Sequence, residues 1–177
     1  MSKQQGKFTS RTKARKRAAD VVFEAEQKGL DRPAKLRKLL EERRLVSAAQ
    51  TPLPAYSQEI VEGVAENLSD IDAAIAAHSK IKDLDRLPGV DLAVLRVAVW
   101  EMLYNFEDLD PIIAIDEAVA IVKSISTDRS PAFVNAVLDA IRKDKSLKFE
   151  GSSSSLSSDG VELSRTDEMW DELLDEY

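Results

Sequence analysis

Hydrophobic residues return at three- and four-residue spacing through most of the first 143 positions, and no window shows the two-residue alternation of a strand bounded by hairpin turns. The pattern is densest in LDRLPGVDLAVLRVAVWEMLY, Leu84 to Tyr104. Pro88 and Gly89 mark a turn, Asp91 sits where a carboxylate favours a helix N-terminus, and Val94, Leu95, Ala98, Met102 and Leu103 repeat along one face. Val97, Val99 and Trp100 carry the apolar surface almost all the way round. That predicts a deeply buried helix whose interior charges are Arg96 and Glu101, and such a helix needs neighbours on several sides.

Those neighbours are legible on either side of it. A first helix runs from an N-cap at Ser10 to about Lys28, with Gly29 as its C′ stop. Its inward residues are Ala14, Ala18, Val21, Val22 and Ala25, and Lys13, Lys16, Arg17, Asp20 and Glu24 face water. Asp31 and Pro33 read as the N-cap and first turn of a second helix to about Ala49, with Leu36, Leu39, Leu40 and Leu45 as its inward candidates. After Thr51-Pro-Leu-Pro54 a third helix runs from Ala55 to His78, with Ser69 or Asp70 as the cap if it divides. Asp110-Pro111 opens a helix with Ile112, Ile115, Ala118, Val119 and Val122 inward, and Ser130-Pro131 opens one with Phe133, Val134, Val137, Leu138 and Ile141 inward. The chain is therefore expected to be all-α. Its divisions are a disordered basic arm (1–10), an N-terminal helical subdomain (11–80), a C-terminal helical subdomain (81–147) and a flexible acidic tail (148–177).

Composition narrows the chemistry. The 177 residues include no cysteine, which removes disulfides, thiolate metal sites and cysteine nucleophiles. The one histidine, His78, has no partner at a catalytic or metal spacing and reads as structural. No cofactor is expected. No apolar run reaches membrane-spanning length and the N-terminus lacks an apolar signal core, so the expectation is a soluble, unexported, cytoplasmic protein.

The net charge of −7 conceals a polarity along the chain. Residues 1–19 carry seven cations and no acid, residues 151–177 carry eight acids against Arg165, and the remaining body is −7. The basic run continues onto the wet face of the first helix, and Phe23 falls beside Lys16 at the edge of that face, either as a core ring or as a stacking platform. Cations that track phosphates beside an exposed ring are what single-stranded RNA requires, which favours RNA binding over a merely solubilising tail. The acidic tail has two readings: a solvated segment that aids solubility, which the composition favours slightly, or a competitor that reaches through its linker to displace RNA from the basic arm.

RTKARKRAADVVFEAE, the central segment and PIIAIDEAVAIVKSISTDRSPAFVNAVLDAI together resemble the NusB family of transcription antitermination factors. AIDEAV is similar to the family's AINEAV, and SPAFVNAVLD to its SPRFVNGVLD; the resemblance covers residues 11 to about 143. It implies an all-α NusB-like fold of two packed three-helix subdomains and no catalytic activity. It also implies partnership with NusE, a small-subunit ribosomal protein, on boxA-type single-stranded RNA of ribosomal RNA operons, within the transcription elongation complex. Some members form a homodimer.

By resemblance, RNA contacts fall on Arg11, Lys13, Arg15, Lys16, Arg17 and Phe23, and on the loop and helix start with Asp128, Arg129 and Phe133. The partner surface falls on Asp91, Arg96 and Glu101. Asp91 is also explained as a helix-dipole residue, and Asp91→Lys is expected to leave the fold intact. The chain departs from the family where Arg129 follows Asp128 in place of a second acid and where Ala136 follows Asn135 in place of glycine. The alternative is a helical protein-interaction adaptor with an incidental basic arm. A methyltransferase reading fails because no glycine-rich strand-turn-helix is present.

Overall fold

The computed structural model describes residues 9–46, 51–144 and 146–147, and the helices are α1 (Ser10–Gln27), α2 (Pro33–Leu45), α3 (Ala55–Glu66), α4 (Leu68–His78), α5 (Gly89–Tyr104), α6 (Pro111–Ile125) and α7 (Ser130–Lys143). A 3-10 turn at Leu84–Arg86 leads into α5, and the described residues contain no strand. Every residue from Asp91 to Met102 is buried, as the all-round apolar pattern requires. Helices α1, α3, α4, α6 and α7 all pack on α5. Helices α1, α2 and α3 also pack on one another, as do α5, α6 and α7, and α4 lies against α5 and α7. Each fully buried Leu or Val of α5 contributes roughly 1.5–3 kcal/mol relative to exposure.

Two glycines show why the packing is possible. A Cβ at Gly63 would lie 1.9 Å from Nε1 of Trp100, so α3 rests directly on the indole of α5 and has no room for a side chain there. Gly29 takes φ +65° past the end of α1, where the amide of Leu30 donates to Ala25 and that of Gly29 to Glu26, closing the helix in a Schellman arrangement.

The ends of several helices differ from expectation. Thr9, not Ser10, caps α1, because its side chain accepts the amide of Thr12 at 3.2 Å. Arg32 occupies the N-cap position of α2, while the Asp31 carboxylate stands 3.6 Å from Arg96. Helix α2 closes at Leu45, which as its last residue is 81% exposed and not inward as expected. The long third helix divides at Asn67, whose amide side chain donates back to Gly63 at 2.8 Å. Asp110 caps α6 as expected, but Ser130 is the first residue of α7 and its hydroxyl is used elsewhere. Ile112 is 53% exposed, because the first turn of α6 precedes the region where that helix is covered. Residues 1–8 and the acidic segment 151–177, and with them the tail-to-arm contact, lie outside the described residues.

Candidate nucleic-acid interface

The outward side of α1 carries Lys13, Lys16, Arg17, Asp20, Phe23 and Gln27, one or two per turn. Arg11 and Lys13 are exposed, and Lys16 and Arg17 partly so. Arg17 donates to the carbonyls of Thr51 at 2.9 Å and Pro52 at 3.1 Å, which joins the segment before α3 to this side of the helix. Phe23 is half-buried because one edge of its ring lies over Gly89, where an added Cβ would come within 2.9 Å. Together with Gln27, Arg43 and Val46 it lines an open groove of about 500 Å³. Glu24, beside the groove, is held at a pKa of about 2, chiefly by its hydrogen bonds from Arg43 and then by Lys28.

Arg15 is a correction. It was expected among the RNA-contacting cations, yet it is 4% exposed, because it lies in register with Ala18, Ala19 and Val22 on the side of α1 that meets α5. Its Nε donates to both carboxylate oxygens of Glu101 at 2.9 Å, and Nη1 stands 3.6 Å from Glu117. The Tyr56 hydroxyl donates to Glu101 at 2.7 Å and accepts from Asn105 at 3.3 Å, and Thr12 donates to Glu117 at 2.6 Å. Burial pushes the Glu101 carboxyl up against the opposing pull of Arg15. Burial, then the hydrogen bond to Glu101, pushes the Tyr56 phenol up to about 12. Above this network the Arg11 guanidinium lies over the Tyr56 ring, 4.1 Å from its centre.

The second cluster surrounds the connection between α6 and α7. Asp91 is fully buried and accepts from Ser126 at 2.7 Å and Ser130 at 2.8 Å, so it clamps this loop to the start of α5. Asp128 is exposed and Arg129 half-exposed. Phe133 is 1% exposed, so the expectation that its ring meets RNA is corrected: it begins the apolar stripe of α7 and is consumed by the core. Arg15 meets Glu101 late in α5 and Phe23 meets Gly89 at its start, so α1 and α5 are antiparallel. Arg11 and Lys13 therefore lie at one end of the pair, and Phe23 and the Asp128–Arg129 loop at the other, separated by roughly 15 Å along the axis.

The expected partner-binding residues are also corrected. Asp91, Arg96 and Glu101 are all buried. Arg96 donates to Asp72 at 2.8 and 2.9 Å and Glu101 is held by Arg15 and Tyr56, so their charges are spent inside the fold. The expectation that Asp91→Lys leaves the fold intact fails for the same reason: a lysine there loses two hydroxyl donors and buries a cation. His78 is structural as expected, bonded to Ala74 and Asp144 at 2.7 Å each. Tyr56 was missed. It occupies the second position of α3, in register with Ile60 and Val64 of the apolar stripe, and the available hint was an aromatic residue at the exposed start of that stripe, just past Pro54.

Among the described residues no cluster of His, Asp or Glu is placed to hold a metal, and no helix is long and apolar enough to cross a membrane. The NusB family model matches residues 12–143. The transcription antitermination protein NusB of Corynebacterium jeikeium is 48% identical over 144 residues, 78% of this chain and 69% of the relative. That of Bifidobacterium animalis subsp. lactis is 44% identical over 138 residues, 77% of this chain and 86% of the relative. In structure the chain is similar to T. maritima NusB, with TM-score 0.60 and 31% identity over 78% of this chain and 94% of that one. It is also similar to a chain of the complex of antitermination factors NusB and NusE with dsRNA, with TM-score 0.57 and 26% identity over 75% and 96% of the two chains.

Proposed function

The chain belongs to the NusB family, and from that premise we propose that it is a non-enzymatic RNA-binding transcription antitermination factor. It acts in the cytoplasm with NusE on boxA-type RNA of ribosomal RNA operons, as part of the transcription elongation complex. The observation that carries this reading is the outward side of α1, where Lys13, Lys16 and Arg17 lead to the half-exposed ring of Phe23, with Arg11 exposed at the helix start. Cations placed along a helix follow a phosphate backbone, and the ring accepts an unstacked base. Asp128 and Arg129 extend this surface at the far end, where Arg129 supplies a charge suited to phosphate. Arg15 supports the surface from beneath.

The solved relative holds dsRNA, whereas a half-exposed ring favours a strand whose bases are free. Titration of a boxA-type single strand, a scrambled strand and the corresponding duplex, each with and without NusE, separates these. Tightest binding to the boxA-type single strand with NusE present is expected. Failure of all three RNAs to bind in either condition overturns the reading. Sedimentation of the free chain alongside determines whether a homodimer competes with RNA.

A further inference from the structure

We propose that Arg11 and Tyr56 form a stacking platform that takes one unstacked nucleobase of single-stranded RNA, at the end of α1 opposite Phe23; the inference rests on the RNA-binding reading. The other described arginines of this region are committed to oxygen acceptors: Arg15 to Glu101, Arg17 to the carbonyls of Thr51 and Pro52, Arg43 to Glu24 and Arg96 to Asp72. Among the described residues Arg11 makes no ion pair, and it is exposed and seated over the Tyr56 ring at 4.1 Å. A guanidinium held over a ring keeps its N–H edge for a phosphate and its outer face for a base.

The ring beneath is held in place. Its hydroxyl is bonded to Glu101 at 2.7 Å and Asn105 at 3.3 Å, both at the well-packed end of α5, so little side-chain freedom is left to lose when a base arrives. With its pKa near 12 the phenol stays neutral at physiological pH and does not repel phosphate. The platform lies at the exposed start of α1, in register with Arg15 and Ala18 and towards α3, so it is reached from a different side of the helix than Lys13.

The test uses the full chain with NusE, a boxA-type single strand carrying 2-aminopurine at one position at a time, and the same strand with an abasic residue at each position. Tyr56→Leu keeps bulk but removes the π-face, and is expected to weaken binding about 5- to 100-fold. Tyr56→Phe keeps the face and stays within about twofold of wild type, while Arg11→Lys, which keeps charge without a plane, falls between them. In the wild type, 2-aminopurine fluorescence changes on binding at the positions that meet Phe23 and this platform, and at one of them only, an abasic residue abolishes the difference between wild type and Tyr56→Leu. The proposal is overturned if Tyr56→Leu binds as wild type, if Tyr56→Phe loses as much as Tyr56→Leu, or if no position shows the abasic effect. Should Tyr56→Leu fold poorly, Arg11→Ala at an exposed position takes its place in the abasic series, so the matter is still decided. A wild-type chain that binds no RNA overturns the RNA reading itself and this inference with it.

Discussion

Helices α1 and α5 lie antiparallel against each other and treat their charges in opposite ways. On α5 all three charged residues, Asp91, Arg96 and Glu101, are buried, and each is matched by hydroxyls, carboxylates or a guanidinium from another helix. On α1 only Arg15 shares that fate, and Arg11, Lys13, Lys16 and Arg17 remain accessible to varying degrees. Arg15 and Lys16 are adjacent in sequence, yet one turns into the interface and the other away from it. Residue type made both of them candidates for RNA; helical register separated an internal tie from an outward-facing side chain.

The largest expected effect comes from breaking that tie. Arg15→Ala leaves the Glu101 carboxylate buried without its cation and is expected to cost about 3–5 kcal/mol in denaturant-measured stability. Replacing both partners by apolar residues of similar volume should cost far less. A loss below about 1 kcal/mol for Arg15→Ala would return it to the exposed group.

The apolar part of α5 is tested by Leu95→Ala, which is expected to cost about 2–5 kcal/mol because Leu95 is 0% exposed at the crossing of several helices. Lys13→Ala with Lys16→Ala tests the opposite side of the comparison. Stability should stay within about 0.5 kcal/mol per substitution, while the slope of log RNA affinity against log salt should fall by roughly 0.7 for each phosphate that the protein no longer neutralises. An unchanged slope removes these lysines from the interface.

The smallest effect concerns acid stability. The folded pKa of Glu24 is depressed from 4.5 to about 2, so its contribution is present above pH 4.5 and is lost as the pH falls towards 2. Glu24→Gln should therefore flatten the acid limb of a stability-against-pH curve in that window and leave its slope above pH 5 unchanged.

The sequence by itself determined the all-α class, the start of α6 at Asp110, the stop of α1 at Gly29 and the depth of α5. These depend on periodicity, capping chemistry and backbone preference, which act within a few residues of one another. It also identified the wet face of α1 and the family, since the matched motifs are contiguous. Arg96 and Glu101 were legible as interior charges of α5; the tertiary structure alone decided that Arg15 and Asp91 join them and which partners all four meet. Arg15, Arg96, Asp91 and Glu101 find partners 24 to 86 positions away, and a long polar side chain is buried only where another helix brings an opposite charge or a hydroxyl to it. Phe133, read both as an inward residue and as an RNA contact, is closed over by the core, and Tyr56, which the sequence did not single out, is left half-buried beneath Arg11 by the packing of α1 against α3 and α5.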